Sequence, residues 1–75
     1  MPQPVSEIPV GSRVRLVAVD GGRMLTRRLL ALGLGIGNEL EVLHHRGRGV
    51  VLAKDGNRVA LGAGVAEKLL IELID

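Results

Sequence analysis

Histidines and carboxylates are the residues whose types and spacing first suggest chemistry in this sequence. His44 and His45 are adjacent in a segment that predicts a strand, so their side chains should leave on opposite faces and could not chelate one ion. Glu39 and Glu41 should share a face of that strand, but two carboxylates without a histidine form at most a weak site for a hard cation. Cysteine is absent, which removes thiolate ligands. We therefore predict neither a metal site nor a cofactor.

Hydroxyl nucleophiles are equally scarce. Ser6, Ser12 and Thr26 carry the only hydroxyl groups of the chain, and the predicted topology places none of them beside a histidine. No G-x-x-x-x-G-K-[ST] sequence is present, which excludes nucleotide hydrolysis by a Walker-type loop. These observations predict a protein without catalytic residues, which is therefore not an enzyme.

The run from Leu29 to Gly37 contains the strongest structural signal. Leu32 should close a helix, because Gly33 follows where a helix end needs a left-handed residue without Cβ. Leu34 would then fold back onto Leu29, which is the apolar contact of a Schellman ending. A dinucleotide-binding loop follows a strand and opens a helix, whereas these glycines close a helix and open a strand. We interpret the run as a structural corner formed by Leu29, Leu32, Gly33, Leu34 and Gly37.

The helix before this corner should span residues 23–32. Leu25, Leu29 and Leu32 recur at i, i+4 and i+7, which predicts an apolar stripe facing the core.

A hypothetical docking surface lies on the other side of this helix. Leu30 is an apolar residue on the predicted solvent face, and Arg23 and Arg27 flank it one turn away. Single exposed leucines are common on any surface, but an apolar anchor beside arginines is also the composition of an interface centre. Arg46 and Arg48, on a loop predicted to be mobile and basic, are the next candidates for partner binding.

Five segments rich in Val, Leu and Ile predict strands. Val19 breaks the alternation of the first segment, which indicates a β-bulge or a strand end covered on both faces. Asp55-Gly56 is the strongest hairpin signal. Prolines at positions 2, 4 and 9 should keep the first residues extended and non-helical. The predicted strands are residues 13–20, 39–45, 50–54, 58–61 and 68–73, with the basic loop at 46–49.

This order of elements predicts a mainly β fold in a single domain over residues 1–75. Closure of a short sheet removes exposed edges, so we expect a small SH3-like barrel of about five strands, with one helix between strands one and two. Ile8 and Val10 should tuck against the body of the domain. Leu69, Ile71 and Leu73 should share one face of the last strand.

Composition narrows the classes of partner. The net charge is +2 and Phe, Tyr and Trp are absent, so no aromatic platform can stack a base. Arg46 and Arg48 could still contact phosphates, which leaves a nucleic-acid-binding barrel as an alternative, although we expect no nucleic-acid partner. The first residues show no basic and apolar leader, and no apolar run approaches the length of a membrane span. We predict a soluble, cytoplasmic protein.

Taken together, these residues resemble the ferrous-iron transport protein A (FeoA) family of small bacterial proteins. The resemblance covers about residues 5–73 and depends mainly on residues 28–34 with Gly37, which are similar to the family's L-x-x-L-G-[LI]-x-P-G corner. Residues 20–22, 59–61 and 66–71 are similar to further family segments. Ile36 departs from the pattern, because the family usually has proline there, and Gly62 and Gly64 replace polar residues.

The resemblance implies an SH3-like barrel without an established catalytic residue. It also implies a cytosolic accessory of ferrous-iron uptake whose partner is the membrane ferrous-iron transporter with its GTP-binding domain. The same type of domain occurs in iron- and manganese-dependent repressors, where it makes protein contacts. A regulatory barrel is therefore the other alternative.

Overall fold

Short strands dominate the residues that the structure, a computed structural model, describes, which are residues 1–74. The elements are β1 (Gln3–Pro4), a 3-10 turn (Val5–Glu7), β2 (Arg13–Val19), α1 (Gly22–Ala31), β3 (Glu39–Arg46), β4 (Gly49–Lys54), β5 (Asn57–Leu61), α2 (Ala63–Ala66) and β6 (Leu69–Leu73). All strand pairs are antiparallel and form one sheet in the order β1-β6-β2-β3-β4-β5. The predicted mainly β architecture is confirmed, with six described strands rather than about five.

The β4–β5 hairpin forms where its turn residues predict it. Asp55 and Gly56 have positive φ values of 50° and 84°, as a two-residue type I′ turn requires. Lys54 and Asn57 pair across the turn. Because the type I′ twist matches that of the flanking strands, this turn fixes the register of the whole hairpin.

The β3–β4 turn is different from the predicted mobile loop over residues 46–49. Arg46 ends β3 and pairs with Gly49, the first residue of β4, so only Gly47 and Arg48 lie between the strands. Gly49 is buried, and a Cβ placed on it would lie 2.6 Å from the carbonyl oxygen of Leu61. This glycine therefore permits a close approach of two backbones and is not part of the turn.

Two irregularities bend the central strands. The β2–β6 register shifts between Leu16 and Ala18, which confirms the bulge indicated by Val19. The β3–β4 register shifts between Val42 and His44, just before the two adjacent histidines. Bulges increase the local twist, which a small sheet needs in order to curl around a core.

The core is wholly aliphatic and lies between the curled sheet and the two helices. Val10 does not belong to it, contrary to the prediction, because it is 56% exposed. Leu73 is also 56% exposed, unlike Leu69 and Ile71 of the same strand. Val10 lies in a turn closed by the Ser12 N–H and the Pro9 carbonyl, and Leu73 is the terminal residue of β6. The buried apolar side chains of the core are those of Val5, Ile8, Val14, Leu16, Leu29, Leu34, Leu40, Val42, Val50, Leu52, Leu61, Ala66, Leu69 and Ile71.

The predicted Schellman ending of α1 is confirmed in each of its parts. Gly33 has a φ of 86°, its N–H donates to the Leu30 carbonyl at 2.9 Å, and the Leu34 N–H donates to the Leu29 carbonyl at 2.8 Å. Leu34 and Leu29 are both buried. The chain then returns to the sheet, where the Gly37 N–H donates to the Leu16 carbonyl at 2.7 Å. The corner is thus hydrogen-bonded to β2.

Leu32 is the exception among the three corner leucines, because it is 52% exposed and is not part of the core stripe. Its backbone has already left helical geometry, with a ψ of 1°, so the helical period no longer sets its direction. Leu34, folded back beneath the last turn, occupies the core position next to Leu29.

The first residues are more regular than predicted. Gln3 and Pro4 pair with Ile71 and Leu70 of β6, and a 3-10 turn follows at once. Proline is compatible with this position because β1 lies at the edge of the sheet. Val5 and Ile8 are buried, so the segment covers one end of the core.

We expect Gly33→Ala to lower the free energy of unfolding by about 1 kcal/mol or more, because alanine resists the left-handed conformation. No atom lies within 4 Å of the position of the added Cβ, so the cost comes from the backbone alone. Urea denaturation of the variant and the parent chain measures the difference in the free energy of unfolding. An unchanged midpoint would contradict the assigned helix ending.

Candidate docking surface

The predicted docking residues of the helix lie on the exposed face of α1. Leu29 is buried and Leu25 packs against the core, so they fix which side of the helix faces the sheet. Arg23, Arg27 and Leu30 are exposed, and Leu30 retains 58% of its accessible surface. The structure thus keeps these three residues together on one helical face.

A second exposed apolar residue follows the corner glycine that lies against Leu30. The Cδ2 atom of Leu30 lies 3.0 Å from the position that a Cβ on Gly35 would take, so Leu30 leans over the corner. Ile36 follows Gly35 and is 60% exposed. We call Arg23, Arg27, Leu30 and Ile36 the Leu30 surface. Ile36 lies beyond the end of α1, so helical spacing does not predict its position.

The arginines of the chain fall into two electrostatic groups. Arg13 and Arg15 bind the carboxylate of Glu39 across β2 and β3, at 3.4 Å and 3.3 Å. Among residues 1–74, by contrast, Arg23 and Arg27 form no ion pair with a carboxylate. Their guanidinium groups are therefore available to an acidic partner without breaking an internal contact.

Arg46 and Arg48 lie elsewhere. Arg46 lines a cleft with Ala60, Leu61 and Gly62. Arg48 lines another, between the β3–β4 turn, the first residues and α2. Neither of these two clefts is lined by Leu30, so neither joins a loop arginine to the exposed face of α1.

Several polar residues considered for metal binding or catalysis are engaged with other groups. Glu39 is paired with arginines, and His45 Nε2 lies 2.5 Å from the carbonyl oxygen of Ile8. Thr26 Oγ1 donates to the Gly22 carbonyl within α1. Among residues 1–74, no group of three or more His, Asp or Glu side chains is placed to hold a metal ion.

An apolar cleft that the sequence did not indicate lies on the flank of α1 away from Leu30. It has a volume of about 170 Å³ and separates the helix from β5 and α2. Leu32, assigned to the core by its helical spacing, is one of its walls, and Arg28 stands beside it. The cleft is lined by Leu25, Arg28, Leu29, Leu32, Ala60, Leu61, Gly62 and Val65. We call it the α1–β5 groove.

Within the described residues, neither α1 nor α2 has the length and apolar character needed to traverse a lipid bilayer.

Comparisons with known proteins agree on one family. The model of the FeoA domain matches residues 3–73. A protein of Methanocaldococcus jannaschii, named "Putative Fe(2+) transport protein A", is 29% identical over 69 residues, which are 92% of this chain and 84% of that protein.

Solved structures show the same fold. The crystal structure of an iron uptake regulatory protein (FeoA) matches with a TM-score of 0.87 at 28% identity, over 99% of both chains. The manganese regulator SloR matches with a TM-score of 0.84 at 22% identity, over 96% of this chain but 34% of that one, and shows a likeness of fold alone. The predicted small SH3-like barrel is thereby confirmed.

Proposed function

The chain belongs to the FeoA family, which functions in Fe(2+) transport, and from that premise we propose that it is a non-enzymatic, cytoplasmic accessory of ferrous-iron uptake. Its partner in this proposal is the cytosolic part of the membrane ferrous-iron transporter. The observation that carries the proposal is the Leu30 surface, where two arginines that form no ion pair within residues 1–74 flank exposed apolar side chains.

The composition of the Leu30 surface supports protein binding. Leu30 and Ile36 offer apolar area that would be removed from water, at roughly 25 cal/mol per Å² before the costs of association. Arg23 and Arg27 would accelerate encounter with an acidic partner, and salt should weaken that effect. Rigid presentation also helps, because the helix end and its corner are fixed by backbone hydrogen bonds.

The described side chains also support a non-enzymatic role. The hydroxyl of Thr26 is used inside its own helix, and one nitrogen of His45 faces a backbone carbonyl. Nucleophilic catalysis would instead require a nucleophile and a general base within hydrogen-bonding reach of each other.

We expect Leu30→Glu to weaken binding to the transporter's cytosolic domain by about 1–3 kcal/mol, because it places a charge where apolar area is buried on docking. Stability should change by no more than about 0.5 kcal/mol, since Leu30 is exposed. Calorimetric titration and thermal melting of the same variant measure both quantities.

Leu73→Glu is the matched control. Leu73 is 56% exposed, close to the 58% of Leu30, but lies on β6. It should leave the affinity unchanged. Equal losses in both variants would show a general charge effect, and an unchanged affinity for Leu30→Glu would remove the Leu30 surface from the proposal.

A further inference from the structure

Among residues 1–74, the outer edge of β5 has no neighbouring strand. It is the last strand of the sheet order, next to β4 only. Lys54 and Asn57 flank a two-residue turn and therefore form a hydrogen-bonded pair, after which bonded and non-bonded pairs alternate. By this alternation the N–H and C=O groups of Asn57, Val59 and Leu61 face β4.

The backbone groups of Arg58 and Ala60 consequently point away from the sheet. Within residues 1–74, neither residue makes a backbone hydrogen bond outside its own hairpin. Ala60 also borders a cleft on each side of β5, the α1–β5 groove and the cleft beside Arg46. These are the groups that an added strand would pair with.

The α1–β5 groove lies beside this edge and is suited to side chains rather than to a small ligand. Its volume of about 170 Å³ is below the roughly 300–1,000 Å³ typical of small-molecule sites. Leu25, Leu32 and Val65 supply apolar walls. Because alternate residues of an added strand point to the same face, every second side chain would enter the groove.

The charges beside the groove indicate which kind of segment would bind there. Arg28 lines the groove and Arg58 lies on the edge strand, and neither forms an ion pair among residues 1–74. The chain itself carries a net charge of +2, which disfavours a second copy beside these arginines. An acidic segment is favoured.

We propose that β5 and α1 bind an extended segment of another protein by strand addition, with alternate apolar side chains in the α1–β5 groove and a carboxylate near Arg28. The Arg58 and Ala60 backbones would give the hydrogen bonds, and the groove would give the selectivity. This surface is on the opposite flank of α1 from Leu30, so the inference stands apart from the proposed function.

The test begins with an octapeptide library displayed on phage and selected on the whole chain. Selected peptides should alternate apolar residues and contain Asp or Glu. Binding should protect the Arg58 and Ala60 amides from hydrogen exchange. Ala60→Pro should weaken binding by about tenfold or more, because proline removes the outward N–H, whereas the matched Ala60→Val should change it by less than about threefold.

Two further measurements keep the result decisive. If Ala60→Pro fails to fold, N-methylation along the synthetic peptide replaces it, and affinity should then fall at alternate positions only. Arg28→Glu should lower the affinity for an acidic peptide by about fivefold. Arg23→Glu, which makes the same charge change on the other face of α1, should not lower it.

Three results would overturn the proposal. The library could yield no binder, or its binders could be insensitive to Ala60→Pro and to N-methylation. Sedimentation could instead show a dimer of the chain that Ala60→Pro dissociates, which would make a second copy the occupant. None of these results would bear on the Leu30 surface, which is tested with the transporter domain.

Discussion

Leu34→Ala should lower the free energy of unfolding by about 2–5 kcal/mol, a large part of the roughly 5–15 kcal/mol that stabilises a domain. Leu34 is 1% exposed and packs beneath the last turn of α1. Truncation leaves a cavity and also removes the apolar contact that accompanies the helix ending. Chemical denaturation of the variant and the parent chain measures the loss.

Ile36→Ala is the control for this result. Ile36 lies two residues further along the same corner but is 60% exposed, so its truncation should cost no more than about 0.5 kcal/mol. A loss below about 1 kcal/mol for Leu34→Ala would mean that Leu34 is not a core residue. Equal losses in the two variants would lead to the same conclusion.

Gly49→Ala should destabilise the fold by about 1–3 kcal/mol for a different physical reason. An added Cβ would lie 2.6 Å from the Leu61 carbonyl oxygen and 3.3 Å from that of Arg46. Both are backbone atoms, and relief of the closer contact requires β4 and β5 to move apart. The melting temperature and the exchange rates of β5 amides should both report the change.

Gly64→Ala is the matched substitution. Gly64 lies within α2, and no atom is within 4 Å of the position of its added Cβ. Alanine there should be neutral or stabilise by up to about 1 kcal/mol, because it restricts the unfolded chain. If Gly49→Ala were equally harmless, β4 and β5 would not be in close backbone contact.

Sequence could predict those features whose signals are local. The helix ending needs only Leu29, Gly33 and Leu34, which lie within six consecutive residues, and the β4–β5 hairpin needs only Asp55-Gly56. In both cases, the backbone conformation is set by the residues themselves. These elements appear in the structure as predicted.

Features that depend on distant partners could not be predicted in this way. Gly49 appeared to be a turn residue, because the Leu61 carbonyl that requires it is remote in sequence. Leu32 fitted the helical stripe, because periodicity does not show where a chain leaves the helix. The α1–β5 groove was missed for both reasons, since it needs Leu32 outside the core and β5 at the sheet edge.

The Leu30 surface could be predicted from the sequence only in part. Helical spacing correctly predicted the exposure of Leu30 and its arginine neighbours, because α1 follows a regular period up to that point. The contribution of Ile36 depends on the path of the corner, which spacing does not describe. Whether the surface binds a transporter remains a prediction, to be tested by the Leu30→Glu titration.

The strand order has a consequence for the sequence of events in folding. β3, β4 and β5 pair with immediate neighbours along the chain, whereas β1 and β2 both pair with β6. Local pairings form quickly, and distant ones carry a larger entropic cost of closure. During synthesis, the meander can therefore assemble while the buried side of β2, with Val14 and Leu16, still lacks β6, where Ile71 pairs with Leu16. Until the ribosome releases β6, that apolar side of β2 is open to misassociation with other nascent chains.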